Sequence, residues 1–210
     1  TPTRYSLLTG RMCFRTGRSR VFSGVGGPCL IEEDRLTLPA MLKTKGYSTA
    51  LFGKWHVGMS FFDQEGQRIS DQGLKGVQRI DYSRPVGGSP IEFGFDHFYG
   101  TACCPTTDWL YAFIDGDRIP VPPTKQVDKS KLPMHPYAND CRPGMVAPNF
   151  DLEEVDLVFL EKSKAFLKAQ VKDSPGKPFF LLHSMQAVHL PSFPAKQFQG
   201  KSGSGPHGDF

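Results

Sequence analysis

The chain has 210 residues, 39% of them hydrophobic and 12% aromatic, enough to bury a sizeable core and too apolar for intrinsic disorder. Lys and Arg number 25 against 21 Asp and Glu, and the resulting charge of +4 is too small and too dispersed to argue for nucleic acid, although it suits a local anion pocket. No apolar run is long enough for a transmembrane helix, and Thr1-Pro2-Thr3-Arg4 lacks the apolar core of a signal peptide, so an export signal is expected outside the segment. The five cysteines form no Cys-x-x-Cys pair, which argues against a zinc site and for one disulfide or none.

In chain order, Thr1 to Thr9 predicts a helix with Pro2 in its first turn and Gly10 beyond its last apolar pair, Leu7-Leu8. A Gly-, Arg- and Ser-rich loop from Thr16 to Pro28 follows, then a short helix marked by Leu38, Met41 and Leu42 and stopped by Gly46. Tyr47 to Phe52 predicts a buried strand running into the loop Gly53 to Gly58, and strand-to-loop junctions are where α/β folds place their chemistry. Met59 to Glu92 is polar, Gly-rich and without periodicity. Phe93 to Tyr99 and Trp109 to Ile114 are strand-like, and Asp115-Gly116 predicts a hairpin turn into a short strand from Arg118 to Val121. The Pro-rich stretch from 122 to 148 predicts an irregular insertion. Helical spacing of Val155, Val158, Phe159, Phe166 and Leu167 predicts a helix over 151–171, with Phe179 to His183 as a further buried strand. The order predicts a layered α/β domain with its loops clustered at one sheet edge.

The chemistry concentrates in three blocks. The unpaired N–H groups at the start of the Thr1 helix suit an anion, and Arg4 lies one turn in. Lys54 offers a point charge to a tetrahedral anion and His56 a proton shuttle near neutral pH, and their separation by Trp55 can bring both to one side of an extended loop. The third block, His183-Ser184-Met185-Gln186-Ala187-Val188-His189-Leu190-Pro191, follows the apolar strand.

The ordered string Pro2, Thr3, Arg4, Leu8, Thr9, Gly10, Arg11 resembles the first signature of the formylglycine-dependent sulfatases, Cys-x-Pro-Ser/Thr-Arg ending in Leu-x-Thr-Gly-Arg. Gly46-Tyr47-Ser48-Thr49-Ala50-Leu51-Phe52-Gly53-Lys54-Trp55-His56-Val57-Gly58 is similar to that family's second signature at almost every fixed position, and His189-Leu190-Pro191 to its His-x-Pro step. Phe93 to Gly100 resembles the strand before a substrate-contacting loop.

The resemblance implies an alkaline-phosphatase-like α/β fold with a central mixed β-sheet flanked by helices, of which residues 1–210 are one part. It implies a sulfuric ester hydrolase whose formylglycine, made from a Cys or Ser immediately before Thr1 by a formylglycine-generating enzyme, attacks sulfur as its hydrate. It implies Arg4, Lys54, His56 and His189 as catalytic residues, with His183 structural, and Cys104, Thr107, Asp108 and Trp109 as candidates for recognising the leaving group. Calcium is the implied metal, with ligands expected outside the segment, so the segment alone is expected not to turn over. A sulfated carbohydrate or aryl sulfate is the implied substrate, and a secreted, periplasmic or lysosomal setting the implied location. Two other readings stay open, a phosphoric ester or phosphonate hydrolase of the same superfamily and a non-catalytic anion-binding relative.

Overall fold

The structure, a computed structural model, describes residues 1–18, 21, 27–71 and 73–210. In chain order its elements are α1 (Pro2–Thr9), α2 (Leu38–Lys43), β1 (Ser48–Lys54), α3 (Leu74–Arg79), β2 (His97–Thr101), β3 (Leu110–Tyr111), β4 (Ile114–Asp115), β5 (Lys125–Gln126), β6 (Met145–Val146), α4 (Val155–Asp173), β7 (Phe179–Ser184) and α5 (Gly205–Asp209), with short 3₁₀ turns between. Most of the expected Gly-, Arg- and Ser-rich loop lies outside the described residues.

β1 is buried along its whole length, as expected of a central parallel strand. It pairs in parallel with β2 on one side and β7 on the other, and β4 adds antiparallel to β2, giving the order β4-β2-β1-β7. The mixed α/β architecture expected from the sequence is therefore present.

Alternation divides β1 between two cores. Leu51 and, beyond the strand, Trp55 and Val57 join the main cluster, whereas Ala50 and Phe52 face α4 and pack with Phe166. The Phe166 ring meets Phe52 edge-on at 6.0 Å and Phe179 at 5.9 Å. Burying such a ring stabilises the layer by about 1.5–3 kcal/mol. At the far end of β1, Thr49 fixes the register with β2: Asp96 accepts hydrogen bonds from the Thr49 N–H (3.0 Å) and hydroxyl (3.1 Å), and Lys43 pairs with Asp96 at 2.6 Å.

α1 forms as its sequence predicts. Tyr5 and Leu8, one turn apart, are its buried stripe, and Leu7 is exposed. Gly10 adopts φ 64° and donates to the Ser6 carbonyl at 2.9 Å, closing the last turn. α2 carries an N-cap, the Thr37 hydroxyl accepting from Ala40 N–H at 3.2 Å.

Elsewhere the boundaries differ from the sequence reading. Pro90 to Phe93 is a capped 3₁₀ turn closed by Gly94 at φ 98°, so β2 starts only at His97. The run Trp109 to Ile114 is two strands: β3 pairs with β6 in a second sheet of order β3-β6-β5, and β4 pairs with β2. The hairpin turn centres on Gly116-Asp117 between Asp115 and Arg118, which exchange backbone hydrogen bonds of 2.8 and 3.0 Å. The strand expected to run on to Val121 stops at that bridge, because Pro120, Pro122 and Pro123 offer no N–H to a ladder. α3 escapes the periodicity test, having Gly76 in its middle and no side-chain cap. The 122–148 segment is less irregular than expected, since it supplies β5 and β6 and buries Val127, Ala138, Cys141, Val146 and Ala147.

Candidate active site

The carboxyl ends of β1 and β7 and the start of α1 meet at one place. Ser184, the last residue of β7, donates its hydroxyl proton to the Lys54 carbonyl at 2.9 Å. Arg4 reaches across from α1 and donates through Nε to the same carbonyl (3.1 Å) and through Nη2 to the Ser184 oxygen (2.7 Å). The guanidinium is thereby fixed in orientation at the strand ends, and its burial lowers its pKa from the usual arginine value.

Gly53 makes this convergence possible. It sits at φ 123°, and a Cβ there would land on the Ser184 carbonyl oxygen, so only glycine lets β1 and β7 close up before Lys54.

Trp55 is the pin of the second signature. Its indole is fully buried, stacked on Phe93 at 6.1 Å, and its N–H is shared by the Gly58 and Gly88 carbonyls at 3.1 Å each. With that ring held in the core, the two flanking side chains turn to a common neighbour, Cys104: Lys54 Nζ lies 3.5 Å and His56 Nδ1 4.0 Å from its Sγ. His56 takes the left-handed backbone, φ 59°, in which a residue other than glycine is strained.

The electrostatics follow from this packing. Burial lowers the Lys54 ammonium from its ordinary value, and the Cys104 sulfur beside it opposes that shift. The Cys104 thiol is depressed to about 3, through the hydrogen bond from Cys103 and then through His56 and Lys54, which outweigh burial. Cys103 moves far upward for the complementary reasons, its bond to Cys104 and burial. The Cys104 sulfur thus faces the Lys54 ammonium at 3.5 Å, in surroundings that favour its ionised form.

The remaining expected residues are placed differently. His189 is exposed in the loop after β7, its Nδ1 against the Leu190 carbonyl. That loop is tethered to the site indirectly. Gln186 donates through Nε2 to the Thr106 hydroxyl (2.8 Å) and the His189 carbonyl (3.2 Å), while Asp156 of α4 accepts from the Gln186 and Ala187 N–H groups at 2.8 and 2.9 Å. Thr107 donates inward to the Asp140 carbonyl (2.6 Å), and Asp108 is buried, its carboxyl pushed up to about 7 chiefly by burial. Trp109 is half-buried with the Arg142 guanidinium 5.8 Å from its ring. His183 faces α4, bonded to Ser163 at 2.8 Å. Arg11 and Tyr5 both engage Glu32, at 2.7 and 3.0 Å, so the end of the first signature anchors the helix rather than an anion.

Sequence reasoning missed Ser184, Cys103 and Gln186. The signal available for Ser184 is a small polar residue that closes an apolar strand.

The donor set suits an anion, not a hard cation. His56, Cys103 and Cys104 offer nitrogen and sulfur, whereas calcium takes six to eight oxygens, so these residues do not fit calcium. Among the described residues no helix is long and apolar enough to cross a membrane, and none of the five cysteines is joined in a disulfide.

The profile of the sulfatase family matches residues 1–208. The chain belongs to the sulfatase family. It is 29% identical to bovine (Bos taurus) arylsulfatase A over 215 residues, covering 100% of this chain and 36% of the relative. It is 25% identical to an N-acetylgalactosamine-6-O-sulfatase of Bacteroides thetaiotaomicron over 232 residues, 100% of this chain and 42% of the relative. The chain therefore spans well under half the length of these curated sulfatases. Among solved structures, one from a glycosaminoglycan-metabolism locus of Bacteroides thetaiotaomicron superposes with TM-score 0.74 at 22% identity, over 100% of this chain and 45% of that one. The PsFucS1 sulfatase from Pseudoalteromonas sp. superposes with TM-score 0.59 at 24% identity, over 100% and 38%. Both likenesses bear on the fold, which is the sulfatase fold.

Proposed function

We propose that the protein carrying this chain is a sulfuric ester hydrolase that removes sulfate from a carbohydrate. The observation that carries the reading is the meeting of Arg4, Lys54 and His56 at the ends of β1 and β7, beside the start of α1. Lys54 supplies the charge that offsets a sulfate oxygen. His56 moves a proton at a nitrogen held near Cys104. Arg4, oriented by Ser184, presents its remaining N–H groups to an oxyanion. His189 is assigned the proton for the leaving oxygen, with Nε2 the exchanging nitrogen because Nδ1 is turned to Leu190.

The nucleophile of this reading is a formylglycine hydrate at the residue before Thr1, installed by a formylglycine-generating enzyme, and when present it supplies the oxygen that attacks sulfur. Calcium, if it serves the reaction, is held by carboxylates other than the residues gathered here, and no step is assigned to it. The carbohydrate preference rests on the name of the Bacteroides relative and on Trp109, whose ring under Arg142 offers an aromatic face beside the 122–148 segment, a candidate specificity rim. An exported setting, secreted, periplasmic or lysosomal, belongs to the same reading.

The test is to co-express the full-length protein with a formylglycine-generating enzyme and confirm the modified residue by mass spectrometry. Turnover is then compared on aryl sulfate, sulfated sugars and phosphate esters. Sulfate release that falls by at least about 100-fold in Lys54→Ala is expected. Cleavage of phosphate esters alone would make it the phosphoryl-transferring relative, and anion binding without turnover a non-catalytic one.

A further inference from the structure

We propose that His56, Cys103 and Cys104 form a site for a thiophilic divalent cation, zinc first among them, and that its occupation shuts the anion site. One imidazole nitrogen and two sulfurs lie within 4.8 Å of one another, all on buried residues. A tetrahedral zinc ion with bonds of about 2.0 Å to nitrogen and 2.3 Å to sulfur holds such atoms roughly 3.5–3.8 Å apart. The 4.0 Å between Cys104 Sγ and His56 Nδ1 is already close to that spacing. No other group of three His, Cys, Asp or Glu ligands lies together among the described residues.

The missing Cys-x-x-Cys pair that argued against zinc in the sequence is a rule about ligands on one turn. Here two ligands are adjacent on the loop after β2, and the third comes from the loop after β1. Sulfur and imidazole donors select zinc and cadmium over calcium or magnesium. Binding is a proton exchange with no change of oxidation state: each sulfur bonds the metal as a thiolate, and any S–H proton it carries leaves to solvent.

The consequence for the anion site is direct. The Cys104 sulfur now has Lys54 Nζ at 3.5 Å, and a bound dication takes over that role and repels the ammonium. The same ion captures His56 Nδ1, the nitrogen 4.0 Å from Cys104 Sγ. Lys54 is pushed away and His56 is taken up at once, while one coordination position stays open to water. The inhibitory consequence rests on the proposed hydrolase reading; the metal site itself does not.

The experiment is a cadmium titration of the full-length protein, read by the ultraviolet thiolate-to-cadmium charge-transfer band, with zinc as competitor. A band saturating at one cation per chain is expected, abolished by zinc in molar excess over cadmium. Cys103→Ser and Cys104→Ser should each weaken binding beyond the 10–100-fold typical of an outer-shell loss, by roughly 100-fold or more. Cys29→Ser, at a half-buried thiol elsewhere, should leave the titration unchanged. His56→Asn, which keeps both thiols, should retain the band with weaker affinity, and circular dichroism of each variant reports its folding. No band, or a band indifferent to both Cys103→Ser and Cys104→Ser, overturns the site. Because this readout involves no turnover, a failed sulfatase assay leaves it intact. If sulfate turnover is present but persists with the band saturated, the site stands and its inhibitory role is overturned.

Discussion

The Arg4 guanidinium and the Ser184 hydroxyl meet at 2.7 Å across 180 residues of chain, and the same hydroxyl donates to the Lys54 carbonyl at 2.9 Å. One side chain therefore couples the first helix to the last residues of two parallel strands. Ser184→Ala removes the acceptor of a charged donor in a part-buried setting, which costs about 1.5–3 kcal/mol. Urea denaturation should show that loss, and kcat/KM on a sulfate ester should fall by about 10–100-fold as Arg4 loses its aim. Ser184→Thr, which keeps the hydroxyl, should restore most of the activity. A Thr variant as impaired as the Ala variant would reduce Ser184 to packing alone.

His56 separates backbone strain from chemistry. Its φ of 59° is tolerated by Asn and opposed by β-branched residues. His56→Asn should melt close to the parent, and His56→Val should be destabilised by about 1–2 kcal/mol more. Both should lose turnover by about 10²–10⁴-fold, the range of a positioned proton-transfer group. Retained turnover in His56→Asn would remove the proton-shuttle role.

Much of this arrangement was legible in the sequence, because strong local signals set it. Pro2 and Gly10 bracket α1, and the run Tyr47 to Phe52 marked β1, Ser48–Lys54, as a buried strand. Lys54 and His56 stood out by chemistry and by their flanking glycines. What the sequence hid depends on long-range contacts. That Ser184 rather than a carboxylate would fix Arg4 follows from the register of β1 with β7, Gly53 opposite Ser184, which no local pattern encodes. That Cys104 would sit between Lys54 and His56 follows from the pairing of β1 with β2, Lys54 opposite Thr101. The aromatic run from 109 to 114 misled for a physical reason: Leu110, Tyr111, Phe113 and Ile114 are all buried, so their pattern could not show that the chain changes sheets among them.

The clamp at the other end of β1 predicts a dependence on acid. Burial alone would raise the Asp96 carboxyl, but Lys43 and the Thr49 N–H and hydroxyl outweigh it and hold the pKa below the ordinary aspartate value. A carboxyl depressed in the folded state contributes stability above its unfolded pKa, near 3.9, and loses it as pH falls through the lower folded value. Asp96→Asn should cost about 1–2 kcal/mol at neutral pH. It should also flatten the acid limb of the stability curve below about pH 4, where the unfolded carboxyl begins to bind its proton. Equilibrium urea denaturation from neutral pH down to the acid limit measures both. An acid limb as steep in the variant as in the parent would place the sensitivity elsewhere.

Two glycines with positive φ should respond very differently to alanine. At Gly10 the φ is 64° and an added Cβ meets nothing within 4 Å, so Gly10→Ala pays only the left-handed backbone term, about 1–2 kcal/mol. At Gly53 the φ is 123° and the added carbon would land on the Ser184 carbonyl oxygen, which is backbone and cannot rotate aside. Relief would require β1 and β7 to separate just where Ser184 and Arg4 join them, so strain, lost strand pairing and a lost charged hydrogen bond add together. Gly53→Ala should therefore cost more than about 4 kcal/mol, the level at which a single substitution points to a specific structural failure. Thermal melts and soluble yields measured side by side give the ranking parent, Gly10→Ala, Gly53→Ala. A Gly53→Ala protein melting level with Gly10→Ala would mean that the two strands do not approach as described, and the position assigned to Arg4 would fall with them.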